Sequence, residues 1–425
     1  DVDYREDGTI AALRPLRPGY EKVRRRFLAD LERAPYPTAP IVPFLNTVHD
    51  RVAVEIARGC TRGCRFCQAG YLYRPVRERS PARVAEIVET ALAYSGYEEV
   101  SLLSLSTGDY SCIEPLLKHL MARHADDRVA VSFPSLRVGS LTPELMEEIR
   151  KVRKTGFTLA PEAGTERLRQ VINKGIGEAD LLAAATSAYG LGWRLLKLYF
   201  MTGLPTETDA DLTAIAELAA AVKRSGRGTQ GGADVNVALS TFVPKPHTPF
   251  QWEGQIGIEE TLRRQELLRQ RLKAKRVNLK WHEAQLSFLE GVFARGDRRL
   301  GAVLERAVDL GCRFDGWRDH FDFARWEQAF ADVGLDPAWY LRERSEEEIL
   351  PWDHLDCGVP KAFLLAERRR ALFGAYTPDC RGGECAGCGV CDFEALRMRL
   401  AGHCELPLPP EPPEPSPGAG EERYK

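Results

Sequence analysis

The chain has 425 residues, of which 44% are hydrophobic and 28% are charged, and its formal net charge is −2. This composition is typical of a folded globular protein, and it gives no overall basic field for holding nucleic acid or a membrane surface. No apolar run reaches the roughly 18 residues of a transmembrane helix, and the first residues do not resemble a signal peptide. We therefore expect a cytoplasmic protein that does not bind a membrane.

Residues 1–45 are expected to form an arm or linker ahead of the main fold. Residues 20–33 are basic and have a helix-like pattern, and a proline-rich passage follows at 34–43. Their arginines could touch a phosphate backbone, but a solvated helix face explains them more simply. The chain begins with Asp instead of Met, which suggests a processed chain or an excerpt from a longer one.

The sequence pattern of residues 46–257 predicts a parallel α/β domain, a partial (β/α)6 barrel of the TIM type. Short β-branched runs alternate there with stretches of helical periodicity. The predicted strands are 51–57, 99–105, 128–133, 156–160, 193–201 and 234–242, and the clearest helices are 81–95, 142–153 and 208–224. Periodicity alone also allows a doubly wound sheet. In either architecture the active site lies at the carboxyl ends of the strands.

Residues 258–378 predict a mostly helical C-terminal region. The predicted helices are 259–275, 284–294, 298–310 and 323–333. A cysteine-rich metal-binding segment is expected at 379–404. The proline-rich tail at 405–425 cannot build a core, so we expect it to be disordered.

The cysteines are the most informative residue type in this chain. Eleven are too few for a disulfide scaffold at this length, but seven of them fall in two tight groups, which indicates metal binding. The other four are expected to be structural residues or free thiols. They are Cys112, Cys312, Cys357 and Cys404.

The first group has a Cys-x3-Cys-x2-Cys spacing directly after the predicted strand 51–57. Its members are Cys60, Cys64 and Cys67. Three thiolates on so short a loop can each bind one iron of an iron–sulfur cube and leave the fourth iron without a protein ligand. A structural zinc site, the alternative, would need a fourth ligand from elsewhere. The spacing therefore favours a cluster with one open iron.

The run Cys60-Thr-Arg-Gly-Cys-Arg-Phe-Cys67 resembles the signature of the radical S-adenosylmethionine (SAM) superfamily, including the aromatic Phe66. This resemblance implies a [4Fe-4S] cluster held by the three cysteines, with SAM chelating the open iron. It also implies an enzyme that cleaves SAM to a 5′-deoxyadenosyl radical and receives its electron from a donor such as flavodoxin or ferredoxin. The three cysteines are then the catalytic centre.

The same resemblance implies SAM contacts at the ends of later strands. Thr107-Gly108-Asp109 stands where the family has Gly-Gly-Glu and would hold the SAM amino group, although it is also good turn chemistry. Arg137 would pair with the SAM carboxylate, and Glu162 would meet the ribose. The candidate cofactor-binding residues are Phe66, Thr107, Gly108, Asp109, Arg137, Glu162, Gly203, Leu204 and Pro205.

His247 follows the sixth predicted strand within a proline-rich loop. It is a candidate proton donor or substrate contact, and the simpler alternative is an ordinary loop histidine.

The second cysteine group places four thiols within twelve residues. Its members are Cys380, Cys385, Cys388 and Cys391. One compact loop of this kind can wrap an iron–sulfur cluster, whereas structural zinc sites usually draw on two separated knuckles. We expect a second iron–sulfur cluster, with zinc as the alternative.

Residues of about 45–395 resemble most a group of uncharacterised radical SAM proteins in which a cobalamin-binding domain precedes the barrel. The group has no settled substrate, so RNA, protein and a small molecule all stay open. The resemblance implies methyl or methylthio transfer, and cobalamin only if an upstream domain absent from this chain supplies it. The alternative is a non-catalytic, metal-stabilised module that binds RNA or protein.

Overall fold

The computed structural model describes residues 1–45, 47–124, 127–132, 157–229 and 232–406. The strands are β1 (Val2–Tyr4), β2 (Ile10–Leu13), β3 (Val23–Arg24), β4 (Val52–Glu55), β5 (Ala57–Arg58), β6 (Arg77–Glu78), β7 (Glu99–Leu103), β8 (Ala130–Ser132), β9 (Phe157–Glu162), β10 (Leu195–Thr202), β11 (Asp234–Thr241), β12 (Asn278–Trp281) and β13 (Leu355–Asp356). The α-helices are α1 (Gln68–Leu72), α2 (Pro81–Ser95), α3 (Ile113–His124), α4 (Glu166–Val171), α5 (Glu178–Gly190), α6 (Asp209–Ser225), α7 (Ile258–Ala274), α8 (Ala284–Arg295), α9 (Leu300–Asp309), α10 (Phe323–Val333), α11 (Pro337–Tyr340) and α12 (Lys361–Leu372).

Two parallel sheets form the centre of the fold. One has the strand order β4-β7-β8, and the other has the order β9-β10-β11-β12. Strands β10 and β11 pair in register along their whole length, from Leu195 opposite Asp234 to Thr202 opposite Thr241. The predicted parallel α/β fold is therefore confirmed. Within the described residues, strand pairing does not close the two sheets into a barrel.

Every second side chain along the central strands is buried, and these side chains form the core. In β10, Leu196, Leu198 and Phe200 are buried, and the corresponding residues of β11 are buried as well. Both rows join a large apolar cluster to which helices α2, α3, α5 and α6 also contribute. Helix α6 begins at a capping box formed by Thr208 and Asp211, which is a strong start signal. The predicted helix 208–224 is thus confirmed.

The four predicted C-terminal helices are confirmed as α7, α8, α9 and α10. Helices α8 to α11 share a separate apolar cluster that includes Val292, Val303 and Phe330. No helix among the described residues is long and apolar enough to cross a membrane. The predicted helix 142–153 lies outside the described residues.

The predicted helix at 20–33 is wrong. The chain there forms bends and the short strand β3, which pairs with β13. Backbone carbonyls in this stretch accept bonds from buried arginines: Arg77 Nη1 bonds Leu28 O at 2.9 Å, and Arg79 Nη1 bonds Leu31 O at 2.8 Å. These carbonyls are therefore committed to distant side chains instead of a helix.

Strand β12 lies in the region predicted to be helical. It adds a fourth parallel strand beside β11, with Asn278 opposite Asn236. Its sequence is Asn-Leu-Lys-Trp, and three of its four residues are exposed. A short, exposed edge strand carries little of the apolar alternation that identifies strands from sequence.

Two of the four isolated cysteines form a disulfide. Cys112 and Cys404 are bonded, whereas Cys312 and Cys357 are buried free thiols. The disulfide follows a C-terminal stretch, residues 399–404, that begins beside β6. Arg399 N there bonds Val76 O at 2.9 Å. The C-terminal cysteine-rich segment is thus attached to the edge of the parallel domain.

Candidate functional site

The first cysteine loop, residues 59–67, begins where β5 ends and leads into helix α1. Gly59 has φ +96°, and a Cβ there would lie 2.4 Å from the carbonyl oxygens of both Tyr73 and Pro75. Only glycine fits this position, because the chain turns sharply against another backbone. Cys60, Cys64 and Cys67 follow as partly exposed free thiols. The three predicted cluster ligands are thus on one loop at the strand ends.

Buried polar side chains hold this loop from beneath. Asn173 Nδ2 donates to the carbonyls of Arg62 and Gly63, both at 3.2 Å. Arg65 is fully buried and forms an ion pair with Glu367 at 3.1 Å. Arg65 also donates to the carbonyl of Val171 at 3.1 Å. Neither Asn173 nor Arg65 was predicted from the sequence, because their partners are about 100–300 residues away along the chain.

The loop thiols are in an environment that disfavours free thiolates. Burial, together with the neighbouring Cys64 thiol, raises the pKa of Cys60 to about 12. Burial also raises the pKa of Cys67, while backbone N–H groups of Gly70 and Ala69 oppose the shift. Metal binding deprotonates such ligands and compensates their charge. A partly buried set of three thiols with backbone N–H donors therefore fits an iron–sulfur cluster.

No three His, Cys, Asp or Glu side chains within the described parts of the chain are grouped closely enough to hold a single metal ion. In a cubane, each thiolate binds a different iron, so its ligands need not converge on one point. The cysteine spacing and the partly buried loop are compatible with such a cluster.

The turn after β7 lies directly beside the cysteine loop. Asp109 accepts a bond from Arg62 Nε at 2.9 Å, and Ser106 Oγ donates to it at 2.6 Å. Thr107 is fully buried, and its hydroxyl donates to Leu102 O at 3.2 Å. Gly108, between them, is partly exposed. The predicted SAM contact Asp109 is thus at the site, in contact with an arginine from the cysteine loop.

Glu162 closes strand β9 in a left-handed conformation with φ +69°. Its carboxylate pairs with Lys174 Nζ at 3.0 Å. The same Lys174 nitrogen lies 6.0 Å from the centroid of the Phe66 ring. Phe66 itself packs against an apolar cluster that includes Leu204 and Phe242. The structure therefore connects Glu162 to Phe66 through Lys174, and it packs Phe66, the residue before Cys67, against the cluster that contains Leu204.

The turn after β10 contains Gly203, Leu204 and Pro205. Gly203 has φ +86°, and its N–H donates to Glu207 Oε2 at 2.6 Å. Burial raises the pKa of Glu207 to about 7, although Arg264 and the Gly203 N–H oppose the shift. Leu204 is buried and Pro205 is partly exposed. The contacts of Glu207 hold the shape of this turn at the strand ends.

His247 lies in a different part of the site from the cysteine loop. It lines a cavity of about 630 Å³ together with Cys357, Trp352 and Lys361. Burial lowers the pKa of His247. The cavity loop is connected to the first cysteine loop, because Gln68 Nε2 donates to Pro246 O at 3.1 Å. The remaining predicted contact, Arg137, lies outside the described residues.

The second cysteine segment, residues 379–391, docks onto the first loop. Asn173 Nδ2 donates to Thr377 O at 3.0 Å, just before this segment. Arg62 pairs with Asp379 at 3.3 Å, and Arg381 Nη1 bonds Glu78 at 3.0 Å. The two cysteine segments therefore share one hydrogen-bonded and ion-paired boundary.

The thiols of the second segment are more accessible than those of the first. Cys385 is exposed, while Cys380, Cys388 and Cys391 are partly exposed. The Gly387 N–H points to Cys385 Sγ at 3.4 Å, and burial raises the pKa of Cys380 to about 11. Four free thiols on one loop, one of them accepting a backbone N–H bond, fit a metal centre of thiolate ligands.

Residues 54–219 match the family described as the Radical SAM superfamily. The match covers strand β4, the first cysteine loop and the strand-end turns up to helix α6. Residues 54–219 of this chain are therefore similar to the radical SAM domain.

Two curated relatives extend the similarity. The chain is 32% identical to the uncharacterized protein MJ0966 of Methanocaldococcus jannaschii over 67% of this chain and 61% of that protein. It is 26% identical to the ribosomal protein uS12 methylthiotransferase RimO of Desulfotalea psychrophila, over 65% of this chain and 63% of that protein. The chain thus spans about three fifths of the length of these two curated relatives.

Among solved structures, the radical SAM methyltransferase TsrM from Kitasatospora setae is similar at 15% identity and a TM-score of 0.37. That similarity covers 44% of this chain and 36% of that one. The cobalamin-dependent radical SAM enzyme OxsB is similar at 11% identity and a TM-score of 0.37, over 66% of this chain and 45% of that one. The identification rests on the sequence matches.

Proposed function

We propose that this chain uses SAM and a [4Fe-4S] cluster to modify a substrate by methyl or methylthio transfer. The observation that carries the proposal is the first cysteine loop, in which Cys60, Cys64 and Cys67 are free thiols at the ends of the parallel strands. Its position inside the matched region 54–219 supports the same reading. When bound, the cluster supplies the electron that cleaves SAM to methionine and a 5′-deoxyadenosyl radical.

The chain's own residues would orient and shield the reacting groups. Asn173 and Arg65 fix the backbone of the loop, so that the thiols are held in place before metal binds. Asp109, which bonds Arg62 of the loop, and Glu162, which pairs with Lys174, are the proposed partners of the SAM amino group and ribose. Binding of SAM at Asp109 then requires its Arg62 contact to rearrange or to be shared.

We propose that the substrate binds in the cavity lined by His247. Its volume of about 630 Å³ is within the range of small-molecule sites, and its walls combine Trp352 and Leu364 with His247 and Lys361. A neutral His247 can accept or donate a proton to a bound group. The similarity to a methylthiotransferase supports the reaction class, while the choice among RNA, protein and a small molecule depends on experiment.

A one-electron donor of the flavodoxin or ferredoxin class is the proposed physiological reductant. Cobalamin, where the reaction uses it, is proposed to come from a segment outside this chain. We propose an iron–sulfur cluster and not zinc at Cys380–Cys391, because a compact four-cysteine loop suits the larger centre.

Anaerobic reconstitution tests the proposal. The purified chain is incubated with iron, sulfide, SAM and dithionite, and 5′-deoxyadenosine is measured. We expect formation that depends on Cys64 and is lost in Cys64→Ser. Cys312→Ser is the matched control, because Cys312 is a buried free thiol in a separate apolar cluster. Equal 5′-deoxyadenosine from Cys64→Ser and the unaltered chain would overturn the proposal.

A second experiment tests the cavity. His247→Gln is expected to leave SAM cleavage without added substrate unchanged, because His247 is not among the proposed cluster ligands or SAM contacts. The substrate is first identified by comparing the modified RNA, proteins and metabolites of a deletion strain with those of its parent. With that substrate, His247→Gln is expected to form less product than the unaltered chain. Full product formation by His247→Gln would exclude this cavity as the substrate site.

A further inference from the structure

Arg62, in the first cysteine loop, lies between two carboxylates from different parts of the chain. Its Nε donates to Asp109 Oδ2 at 2.9 Å, and its Nη2 donates to the other oxygen of the same carboxylate. The same Nε lies 3.3 Å from Asp379 Oδ2, in the second cysteine segment. The side chains of Asp109 and Asp379 are only 9% and 13% exposed, so solvent screens these contacts weakly. One arginine therefore connects the proposed SAM contact Asp109 to the second segment.

The backbone on both sides of this contact is held by a single asparagine. Asn173 Nδ2 donates to the carbonyl of Arg62 at 3.2 Å and to the carbonyl of Thr377 at 3.0 Å. Thr377 also donates its N–H to Asn173 Oδ1 at 2.9 Å, and it lies two residues before Asp379. These bonds do not involve the charged groups. Arg62 can therefore change its carboxylate partner by side-chain rotation while the backbone keeps its place.

Asp379 is arranged to accept Arg62 more fully than it does in this structure. Its Oδ1 accepts the backbone N–H of Arg381 at 2.9 Å, which fixes the carboxylate, while its Oδ2 faces Arg62. The distance of 3.3 Å from Arg62 Nε is longer than that of a full charge-assisted bond, about 2.7–2.9 Å. Arg381 Nη1 bonds the backbone carbonyl of Asp109, so the same segment also fixes the turn that carries Asp109.

We propose that Asp379 is a positioning residue for SAM binding: it takes over Arg62 and so frees the Asp109 carboxylate for the SAM amino group. This inference rests on the proposed function, in which Asp109 contacts that group. An ammonium group competes with Arg62 for the Asp109 oxygens, because Arg62 bonds both of them. A guanidinium stays charged in a protein, so its release into a partly buried site without a new acceptor is costly. Asp379 supplies that acceptor.

The exchange of partners couples the second cysteine segment to the SAM site. Coupling between two sites is reciprocal in binding free energy, so each site affects the other equally. SAM should therefore strengthen the contact between Arg62 and Asp379 and slow amide hydrogen exchange in residues 379–391. Loss of the Asp379 charge should in turn weaken SAM binding.

The test measures SAM affinity by equilibrium dialysis after anaerobic reconstitution, at matched iron content. Asp379→Asn keeps an oxygen that can accept the Arg381 N–H but loses the charge that attracts Arg62. We expect the Kd for SAM to rise about 5- to 10-fold. In an Arg62→Gln chain, the same substitution should leave the Kd unchanged, because no guanidinium has to be moved. A merely structural role of Asp379 would raise the Kd in both backgrounds.

Asp322→Asn is the matched control. Asp322 likewise accepts a backbone N–H two residues further on, from Ala324 at 3.1 Å, and it pairs with Arg325 at 3.1 Å in the C-terminal helical region. It should leave the Kd for SAM unchanged. The proposal would be overturned by an unchanged Kd in Asp379→Asn, by an equal rise in the Arg62→Gln background or by an equal rise in Asp322→Asn. If Asp379→Asn does not fold, the unaltered chain decides: hydrogen exchange at 379–391 that is the same with and without SAM rejects the coupling.

The result separates this inference from the proposed reaction. A chain whose SAM affinity depends on Asp379 but that forms no 5′-deoxyadenosine would keep the exchange of Arg62 and lose the reaction. Formation of 5′-deoxyadenosine with equal SAM affinity in Asp379→Asn and the unaltered chain would keep the reaction and lose the exchange. An unaltered chain that does not bind SAM would overturn both.

Discussion

The two cysteine segments have the same kind of ligand but are supported differently. In the first, buried side chains from other parts of the chain hold the loop backbone, as Asn173 and Arg65 do. In the second, local backbone turns dominate, and glycines such as Gly383 and Gly387 adopt left-handed conformations within the loop. Cys385 is exposed, whereas the first loop has no fully exposed cysteine.

This difference indicates different relations between metal and structure. A loop held by distant buried partners keeps its shape without a ligand, which favours a site that must also bind a second molecule in a fixed geometry. A glycine-rich loop with few such partners gains most of its order from the metal itself. We therefore expect the first segment to be preorganised and the second to depend on its metal.

The largest expected contrast is in thiol reactivity of the metal-free protein. Because the pKa of Cys60 is raised to about 12 by burial and the nearby Cys64 thiol, Cys60 should react on the order of 10³-fold more slowly at pH 8 than a cysteine of ordinary pKa near 8.5. Its rate should rise about tenfold per pH unit below that pKa. Time-resolved iodoacetamide labelling with mass spectrometry measures both rates.

Exposed Cys385 provides the comparison within the same sample. It should be labelled early, and Cys112 and Cys404 should be labelled only after reduction, because they share a disulfide. Labelling of Cys60 as fast as Cys385 would show that the first loop is open without metal and would remove the contrast.

The second prediction concerns the buried ion pair beneath the first loop. Arg65→Met removes the fully buried cationic partner of Glu367 and leaves it only the half-exposed Arg370, so it should lower the free energy of unfolding by about 3 kcal/mol. Urea unfolding of the metal-free protein measures the change. Arg79→Gln, which removes an equally buried arginine but strands no carboxylate, should cost less.

Arg65→Met should also reduce the iron bound in the first loop relative to the second. Equal stability of Arg65→Met and the unaltered protein would mean that the loop is not held from beneath. The contrast between the two segments would then have no energetic basis.

The third prediction isolates Asn173. Its backbone is left-handed with φ +53°, so Asn173→Gly keeps that conformation and removes the side chain. The loss of its bonds to Gly63 and Thr377 should cost about 1–3 kcal/mol. Asn173→Asp is the control of similar shape. Its carboxylate can still accept the bond from the Thr377 N–H, but it lacks the Nδ2 group that donates to the backbone carbonyls.

The measurement is again urea unfolding, combined with iron analysis after reconstitution. Asn173→Gly should lose iron from the first loop even where it stays folded. Full iron content at unchanged stability would contradict the role given to Asn173.

Much of this site was predictable because it is local in sequence. The spacing of Cys60, Cys64 and Cys67 and the strand before them need only adjacent residues, and the turn at Gly203 follows a strand with clear alternation. The buried side chains that hold the loop backbone were not predictable from the sequence. Arg65 and Glu367 are 302 positions apart, and no local pattern marks such a pair.

Two errors have the same origin. The helix predicted at 20–33 fails because distant Arg77 and Arg79 take its carbonyls. Strand β12 was missed because its own four residues carry little strand pattern, and pairing with β11 supplies its order. In both cases tertiary contacts outweigh local propensity.

The smallest expected effect is at Cys385. Cys385→Ser should change the unfolding free energy of the metal-free protein by less than about 0.5 kcal/mol, because exposed substitutions away from buried contacts are usually near neutral. The same change should prevent the metal from ordering the second segment. Limited proteolysis with and without reconstitution should therefore show metal-dependent protection of residues 379–391 in the unaltered protein and none in Cys385→Ser. Protection that does not depend on metal would mean that the local turns already order this loop. Both segments would then be preorganised, and their difference would be only one of exposure.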